Sequence, residues 1–383
     1  MSLLEEQHKR LKWIIFTYYW IWRCEFIPDF GLKILKNIKS SIYPVNLIFG
    51  MFCVVYHFLV QMVDYGYDLA LTIVYFFAIY QCAMVYAEIM IIHRERLFDM
   101  LKFFDEWIIS KEPLISDIRR KHLLANTELG IKWTKIFLMF ITCVGLNVNT
   151  FHLYVSGFSA PMLFTIPGLP NDSIFYYPVN VIYGTVLYFA ILENIMISDA
   201  VVMIMILYFR SEFYALAELV TQLHDGTSVK MKATSILRTT HETHKIALQK
   251  VKELTQTFWH LYFHKLFAIM IYLCCTLYIF QSLNASIFIA VLIVGAMTSQ
   301  IFILCFFGQV IENSSELLYQ SFCMIQWYEM KLEEQKKYLL LTMSIQKSVR
   351  IETFGFGDIS IYTFVQICKA AGTYAAILYT VVH

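Results

Sequence analysis

Charge is what this sequence has least of. Only 15% of its 383 residues are Asp, Glu, Lys or Arg, where a soluble globular chain carries about 25%. Between Leu266 and Ile311 there is no charged residue at all. Runs of that kind cannot coat a water-soluble fold, and with 58% apolar residues the chain reads as a membrane protein. The formal net charge is +1 and no basic face dominates, which excludes a nucleic-acid partner. A cleavable signal is missing as well. The first apolar run, Trp13 to Ile21, leads into Arg23, Glu25 and Pro28 rather than a small-residue cleavage site. It is too short to span, and Trp13 to Ile27 reads as an interfacial or re-entrant helix with its aromatics at headgroup level.

Lys and Arg are absent from particular places. Hydropathy puts seven spans near 43–63, 69–92, 136–156, 178–209, 263–281, 285–308 and 358–382. The segments 1–42, 93–135, 210–265 and 309–357 together hold 29 of the 30 Lys and Arg, and the remaining one is Lys369. The alternate loops, near 64–68, 157–177 and 282–284, hold none. Positive charge marks the cytoplasmic side, so the N-terminus is expected inside and the C-terminus outside. All nine cysteines fall in spans or in the basic segments, so no disulfide framework is expected. The sequon Asn171-Asp172-Ser173 lies in the longest outside loop, which makes Asn171 a glycosylation candidate.

The chain divides accordingly into a cytoplasmic N-terminus (1–42), a six-span bundle with cytoplasmic helical extensions (43–308), a cytoplasmic helical anchor (309–357) and the seventh span (358–383). The extension between the fourth and fifth spans is expected to break at His224-Asp225-Gly226-Thr227-Ser228. Residues 314–343 read as one amphipathic helix, with Leu317, Leu318, Phe322, Ile325, Leu332, Leu339 and Leu340 among charges.

Motifs for chemistry are scarce. His241-Glu242-Thr243-His244 is one residue short of the zinc-protease pattern, and with His260 and His264 these histidines read as solvated helix faces. No nucleophile–base arrangement appears, so neither an enzyme nor a metal or cofactor is expected. The marks of a rhodopsin-like receptor are absent too: no Asp-Arg-Tyr ends the third span, and no Asn-Pro-x-x-Tyr lies in the seventh. Inverted repeats of the transporter kind are not apparent. Of the acidic residues nearest to membrane depth, Glu88 is expected to pair with Arg94 at the cytoplasmic edge, while Glu193 and Asp199 are candidates for function.

What the spans do contain is aromatic. The outer half of the second carries Tyr75, Phe76, Phe77 and Tyr80, and one face of the third carries Asn147, Thr150, Phe151 and Tyr154. Tyr183 and Leu187 begin the fourth, and Phe288 begins the sixth. Such a set suits an apolar pocket with a few polar anchors, or plain helix packing. The last span adds a polar stripe. Tyr362, Gln366, Lys369, Thr373, Ile377 and Thr380 fall along one helix face, amid small Ala370, Ala371, Gly372, Ala375 and Ala376. A stripe of this kind faces protein or water rather than lipid.

The C-terminal quarter carries an ordered set of motifs. Trp327-Tyr328 is followed by a leucine run ending in Gln346-Lys347, then a Gly-containing turn, then a span with Thr373-Tyr374 ahead of an apolar run. This resembles the end of insect odorant receptors. The resemblance implies an all-α fold of seven spans and a ligand-gated, non-selective cation channel in the plasma membrane of a sensory neuron. It also implies a tetramer with a shared co-receptor subunit, contacts mainly through the cytoplasmic helices, and a small volatile organic ligand. By the same resemblance the outer-half set Tyr75, Phe76, Tyr80, Asn147, Thr150, Phe151, Tyr154, Tyr183, Leu187 and Phe288 falls where the ligand binds. The last span would line the pore with Lys369, Thr373, Ile377 and Thr380, and Ile377 would be the gate. A gustatory receptor of the same superfamily and a small-molecule transporter are the alternatives.

Overall fold

The computed structural model describes residues 3–24, 33–61, 67–109, 112–155, 164–169, 172–282, 287–353, 355 and 357–382. Its helices are α1 (Leu3–Trp22), α2 (Lys33–Tyr56, running on as a π-helical turn His57–Gln61), α3 (Tyr67–Tyr86, followed by the π-helical Ala87–Ile92) and α4 (Arg94–Ile109). Then come α5 (Ser116–Val155), α6 (Tyr176–Thr221), α7 (Gly226–Ser282), α8 (Ile287–Cys323), α9 (Leu332–Ile345) and α10 (Ile361–Val382). A two-stranded hairpin, β1 (Glu352–Thr353) and β2 (Gly357–Asp358), precedes α10, with Gly355 and Gly357 at positive φ where a side chain would be strained. Seven of these helices, α2, α3, α5, α6, α7, α8 and α10, are long and apolar enough to cross a membrane. The lysine- and arginine-bearing connections gather at one end, the basic end.

α6 is the axis of the bundle. Every residue from Met196 to Phe209 is buried: apart from Ser198 and Asp199, which pair internally with Lys265, the stretch is apolar around its circumference and so must be enclosed on all sides. α3, α5, α7 and α8 enclose it. α10 is peripheral, packing only on α7 and α8 among the larger contacts.

α1 runs beside α5 in the same direction. The Thr127 hydroxyl donates to Gln7 Oε1 at 2.9 Å, and Leu11 lies against Gly130 one turn further on. The seam is fastened by His8, whose ring bonds the Tyr208 hydroxyl on α6 and the Asp105 carboxylate on α4. Lys12 Nζ also holds Asp105, at 2.7 Å. Burial pushes the His8 pKa below the ordinary value, outweighing the pull of Asp105. The neutral ring is therefore the native form. The unfolded chain binds the extra proton first, so the stability His8 contributes is complete above about pH 6.5 and lost as pH falls below it. The protection factors of α1 amides, exchange rates referred to the intrinsic rate at each pH, should fall between pH 7 and pH 5.5, and His8→Gln should flatten that dependence.

Three expectations are corrected at the basic end. Residues 314–343 are not one helix. α8 stops at Cys323, a 3-10 turn spans Trp327–Glu329, and α9 begins at Leu332. The Gln326 amide donates to the His224 carbonyl at 2.9 Å, and His224 Nε2 donates to the Ser321 carbonyl at 3.0 Å. Contacts with the α6–α7 turn therefore end the helix, and α9 folds back so that Tyr338 stacks on Phe322 and donates to its carbonyl at 2.9 Å. Glu88 pairs with His93 at 3.1 Å, whereas Arg94 lies over the Tyr19 and Phe98 rings. The histidines are not all solvated: His244 is buried beside Phe213, and His264 bonds Tyr80. The break between α6 and α7 falls at 222–225, two residues ahead of the expected His224–Ser228, so that Gly226, Thr227 and Ser228 already belong to α7.

Candidate ligand chamber and the free face of the last helix

At the end of the bundle opposite the basic end, α2, α3 and α6 meet closely. Leu187 is fully buried, filling the space between Gly50 of α2 and Ile79 of α3. Tyr183, one turn away, meets the Phe49 ring edge-to-face at 5.6 Å, and its buried hydroxyl finds no hydrogen-bond partner among the described residues. Tyr75 and Phe76 pack half-buried against the same core. Tyr80 sits deeper, its hydroxyl 2.7 Å from His264 Nδ1. These five of the expected residues are brought to the inside.

The α5 set goes the other way. Asn147, Thr150, Phe151 and Tyr154 share a face, as their spacing requires, but the structure leaves all four exposed. Asn147 spends its amide on the Cys143 carbonyl of its own helix, at 2.7 Å. The inward side of α5 is instead Val144 and Val148, which pack with Tyr188 of α6 and Leu292, Ile293 and Ala296 of α8. The Phe288 side chain and Asn171 lie outside the described residues.

Beneath the apolar layer is a polar centre that periodicity did not reveal. Gln81 of α3, Tyr272 of α7 and Gln300 of α8 are buried, and the Tyr272 hydroxyl lies 3.0 Å from Oε1 of both glutamines. One hydroxyl hydrogen serves one acceptor, so one of these amides must turn its NH₂ toward the tyrosine. Asp199 of α6, beside Gln300, forms an ion pair with Lys265 of α7, whose Nζ also donates to Ser198 at 2.6 Å. Lys265 belongs by sequence to a basic segment, yet it is 1% exposed. The Asn194 amide donates to the Tyr43 hydroxyl at 2.7 Å, tying α6 to α2. The sequence signal was present as isolated Gln, Asn and Asp in apolar runs, but nothing in it says which of them meet. No cluster of three or more metal-binding side chains occurs among the described residues.

α10 is two-faced. Thr363, Ile367, Ala371 and Ala375 are buried against α7 and α8, and the small Thr363, Ala371 and Ala375 permit the close approach. Tyr362, Gln366, Lys369, Thr373, Ile377 and Thr380 are all exposed, Tyr362 by 72% and Ile377 by 49%. The threonines satisfy themselves within the helix: Thr373 donates to the Lys369 carbonyl at 3.0 Å, and Thr380 to that of Ile377 at 2.9 Å. At the foot of this face is a cavity of about 660 Å³ lined by Tyr362, Gln366, Glu312, Arg350 and Asp358 among others. Arg350 bridges the two acids there, at 2.8 Å from each.

A bundle of seven spans with a buried polar centre and one peripheral, polar-faced helix describes a multi-pass membrane protein. The family model of the 7tm odorant receptors matches residues 61–372, and the chain belongs to that family. Its fold is similar to that of the insect olfactory receptor OR5 of Machilis hrabei. The structure of that receptor in complex with eugenol gives a TM-score of 0.74 at 12% identity, covering 99% of this chain and 98% of that one. A second OR5 structure gives 0.71 at 12% identity, with 93% and 92% covered. A putative odorant receptor 83c of Drosophila melanogaster is 29% identical over 102 residues, 27% of this chain. That match spans about a quarter of the relative, 24% of its length.

Proposed function

We propose that this chain is the odorant-binding subunit of a heteromeric, ligand-gated, non-selective cation channel, assembled with a co-receptor subunit in the plasma membrane of a sensory neuron. The observation that carries this reading is the free face of α10. Lys369, Gln366, Thr373 and Tyr362 are exposed on a membrane-length helix, and lipid cannot solvate such a row. Other subunits and a water-filled path between them can. The basic end supports the same reading. Met324, Trp327, Tyr328, Leu332, Leu340 and Met343 are exposed there, five of them by more than 60%, and an apolar surface of that kind away from the lipid calls for a protein partner. On this reading the basic end is cytoplasmic, the N-terminus is inside and Asn171 is available for glycosylation outside. A small volatile organic molecule binds at the opposite end, among Tyr75, Phe76, Tyr183, Leu187 and the newly recognised Tyr188.

Whole-cell recording from cells expressing this chain, a co-receptor, or both tests the assembly. Volatile-evoked current should need both chains, and full-amplitude current from this chain alone would refute the tuning-subunit reading. Ile377→Ala tests the pore. An apolar constriction blocks ions by dewetting, so the smaller, less apolar ring should raise the standing leak severalfold. Leak and ion selectivity identical to the parent would remove Ile377 as the gate.

A further inference from the structure

We infer that Lys369 is a selectivity determinant of this subunit: its ammonium stands in the ion path and weights the channel against divalent cations. The inference rests on the pore reading of α10 and assigns to one side chain a role that reading does not require.

The structure confines the charge by elimination. Lys369 is exposed on the side of α10 opposite Ile367 and Ala371, which are buried against the subunit's own α7 and α8. It forms no ion pair among the described residues. Between Ile361 and Val382 there is no Asp or Glu, so the helix supplies no counter-charge of its own. The acids at its foot, Glu312 and Asp358, are both engaged by Arg350 at 2.8 Å. Asp358 precedes the helix, and Lys369 stands eight residues beyond its first residue Ile361, about 12 Å along the axis, beyond the reach of a lysine stem. Gln366 and Thr373, the neighbours on the same face, are neutral. Lipid is excluded by cost, since hydrocarbon offers an ammonium at that depth neither hydrogen bonds nor counter-charge. Among the described residues nothing is left to neutralise the charge, and in the assembled channel of the proposed function the free face of α10 fronts the water-filled path.

A fixed positive charge repels a permeating cation in proportion to that cation's own charge. At about 7 Å in a water-filled path, the repulsion reduces local monovalent occupancy about 2.7-fold and divalent occupancy by the square of that, about sevenfold. The ratio between the two then changes two- to threefold per lysine. Salt within the path shortens the range without altering the sign.

The test is the Ca²⁺/Na⁺ permeability ratio from reversal potentials, taken on the standing or volatile-evoked current of cells co-expressing a co-receptor. Lys369→Gln should raise the ratio two- to threefold, Lys369→Glu further, and Lys369→Arg should keep the parent value. Lys369→Cys avoids any effect on folding, because its charge is set after assembly. An aminoethyl thiosulfonate should restore the parent ratio, and a sulfonatoethyl reagent should raise it, with the parent channel treated identically as the control for native thiols. Ratios unchanged across these variants overturn the inference. Thr373→Cys separates the two claims. If a cationic thiol reagent blocks current through Thr373→Cys while the Lys369 variants leave the ratio alone, the pore reading stands and the role of Lys369 falls. If Thr373→Cys is inert and the ratio does not move, both fall.

Discussion

Replacing Arg119 by methionine should leave little folded receptor. Arg119 of α5 is 2% exposed and grips Glu212 of α6, itself fully buried, through Nε at 2.9 Å and Nη2 at 2.9 Å. The guanidinium also lies 5.8 Å from the Trp107 ring centre. Losing the cation strands a carboxylate in an environment with no water to solvate it, which costs about 3–5 kcal/mol, a large part of a typical folding stability. The double variant Arg119→Met/Glu212→Met removes both charges and should recover most of the loss, since a buried pair often does little better than apolar side chains of similar size. Lys121 and Glu218, also bridging α5 and α6 at 2.9 Å, are solvent-exposed. Lys121→Ala should therefore cost less than about 1 kcal/mol. Thermal unfolding of the detergent-solubilised protein and the fraction reaching the cell surface measure all three. Equal losses in the single and double variants would show that size, not the stranded charge, dominates.

Gly308→Ala should be nearly as damaging, and for a steric reason. A Cβ at Gly308 of α8 would stand 2.1 Å from the carbonyl oxygen of Ile359 and 2.9 Å from its carbonyl carbon. No rotamer relieves a clash with backbone. The segment joining the hairpin to α10 would have to move away from α8, disturbing the Ile359 N–H bond to the Ile351 carbonyl, 2.8 Å in the native chain. Overpacking costs about 1–3 kcal/mol, and a clash with backbone puts this one toward the upper end, with the displacement at the foot of the proposed pore helix. Gly295→Ala on the same helix is the control. Nothing lies within 4 Å of its Cβ position, and alanine favours a helix over glycine by about 1 kcal/mol, so stability should hold or rise. A Gly308→Ala protein with parental melting temperature and surface level would show that α10 tolerates the shift.

Neither residue announced itself in the sequence. Arg119 lies in a basic segment and Gly308 in an apolar run, and no local pattern marks the partner of either. Lys265 was misplaced for the same reason. Its partner Asp199 is 66 positions away, and no local pattern records a pairing of that kind. The α5 stripe is the instructive case. Spacing correctly put Asn147, Thr150, Phe151 and Tyr154 on one face, but helical period does not say whether a face is turned inward. In a lipid environment both sides of a helix are apolar, so the usual cue of polar-out and apolar-in is lost. α10 escaped this ambiguity because its stripe is polar, and polarity in a span does point toward protein or water.

By itself the sequence determined the seven spans, the side on which positive charge collects, the break between α6 and α7, the stripe of α10 and the ordered C-terminal motifs that mark the family. All of these are one-dimensional quantities: hydropathy over about 20 residues, charge per loop, spacing along one helix. The tertiary structure decided the rest. It fixed which faces meet, ended α8 at Cys323 through the Gln326 and His224 contacts, buried Lys265 and Arg119 with their acids, and left Lys369 without one among the described residues. Those outcomes depend on pairs of residues far apart in sequence, whose meeting is set by how whole helices pack.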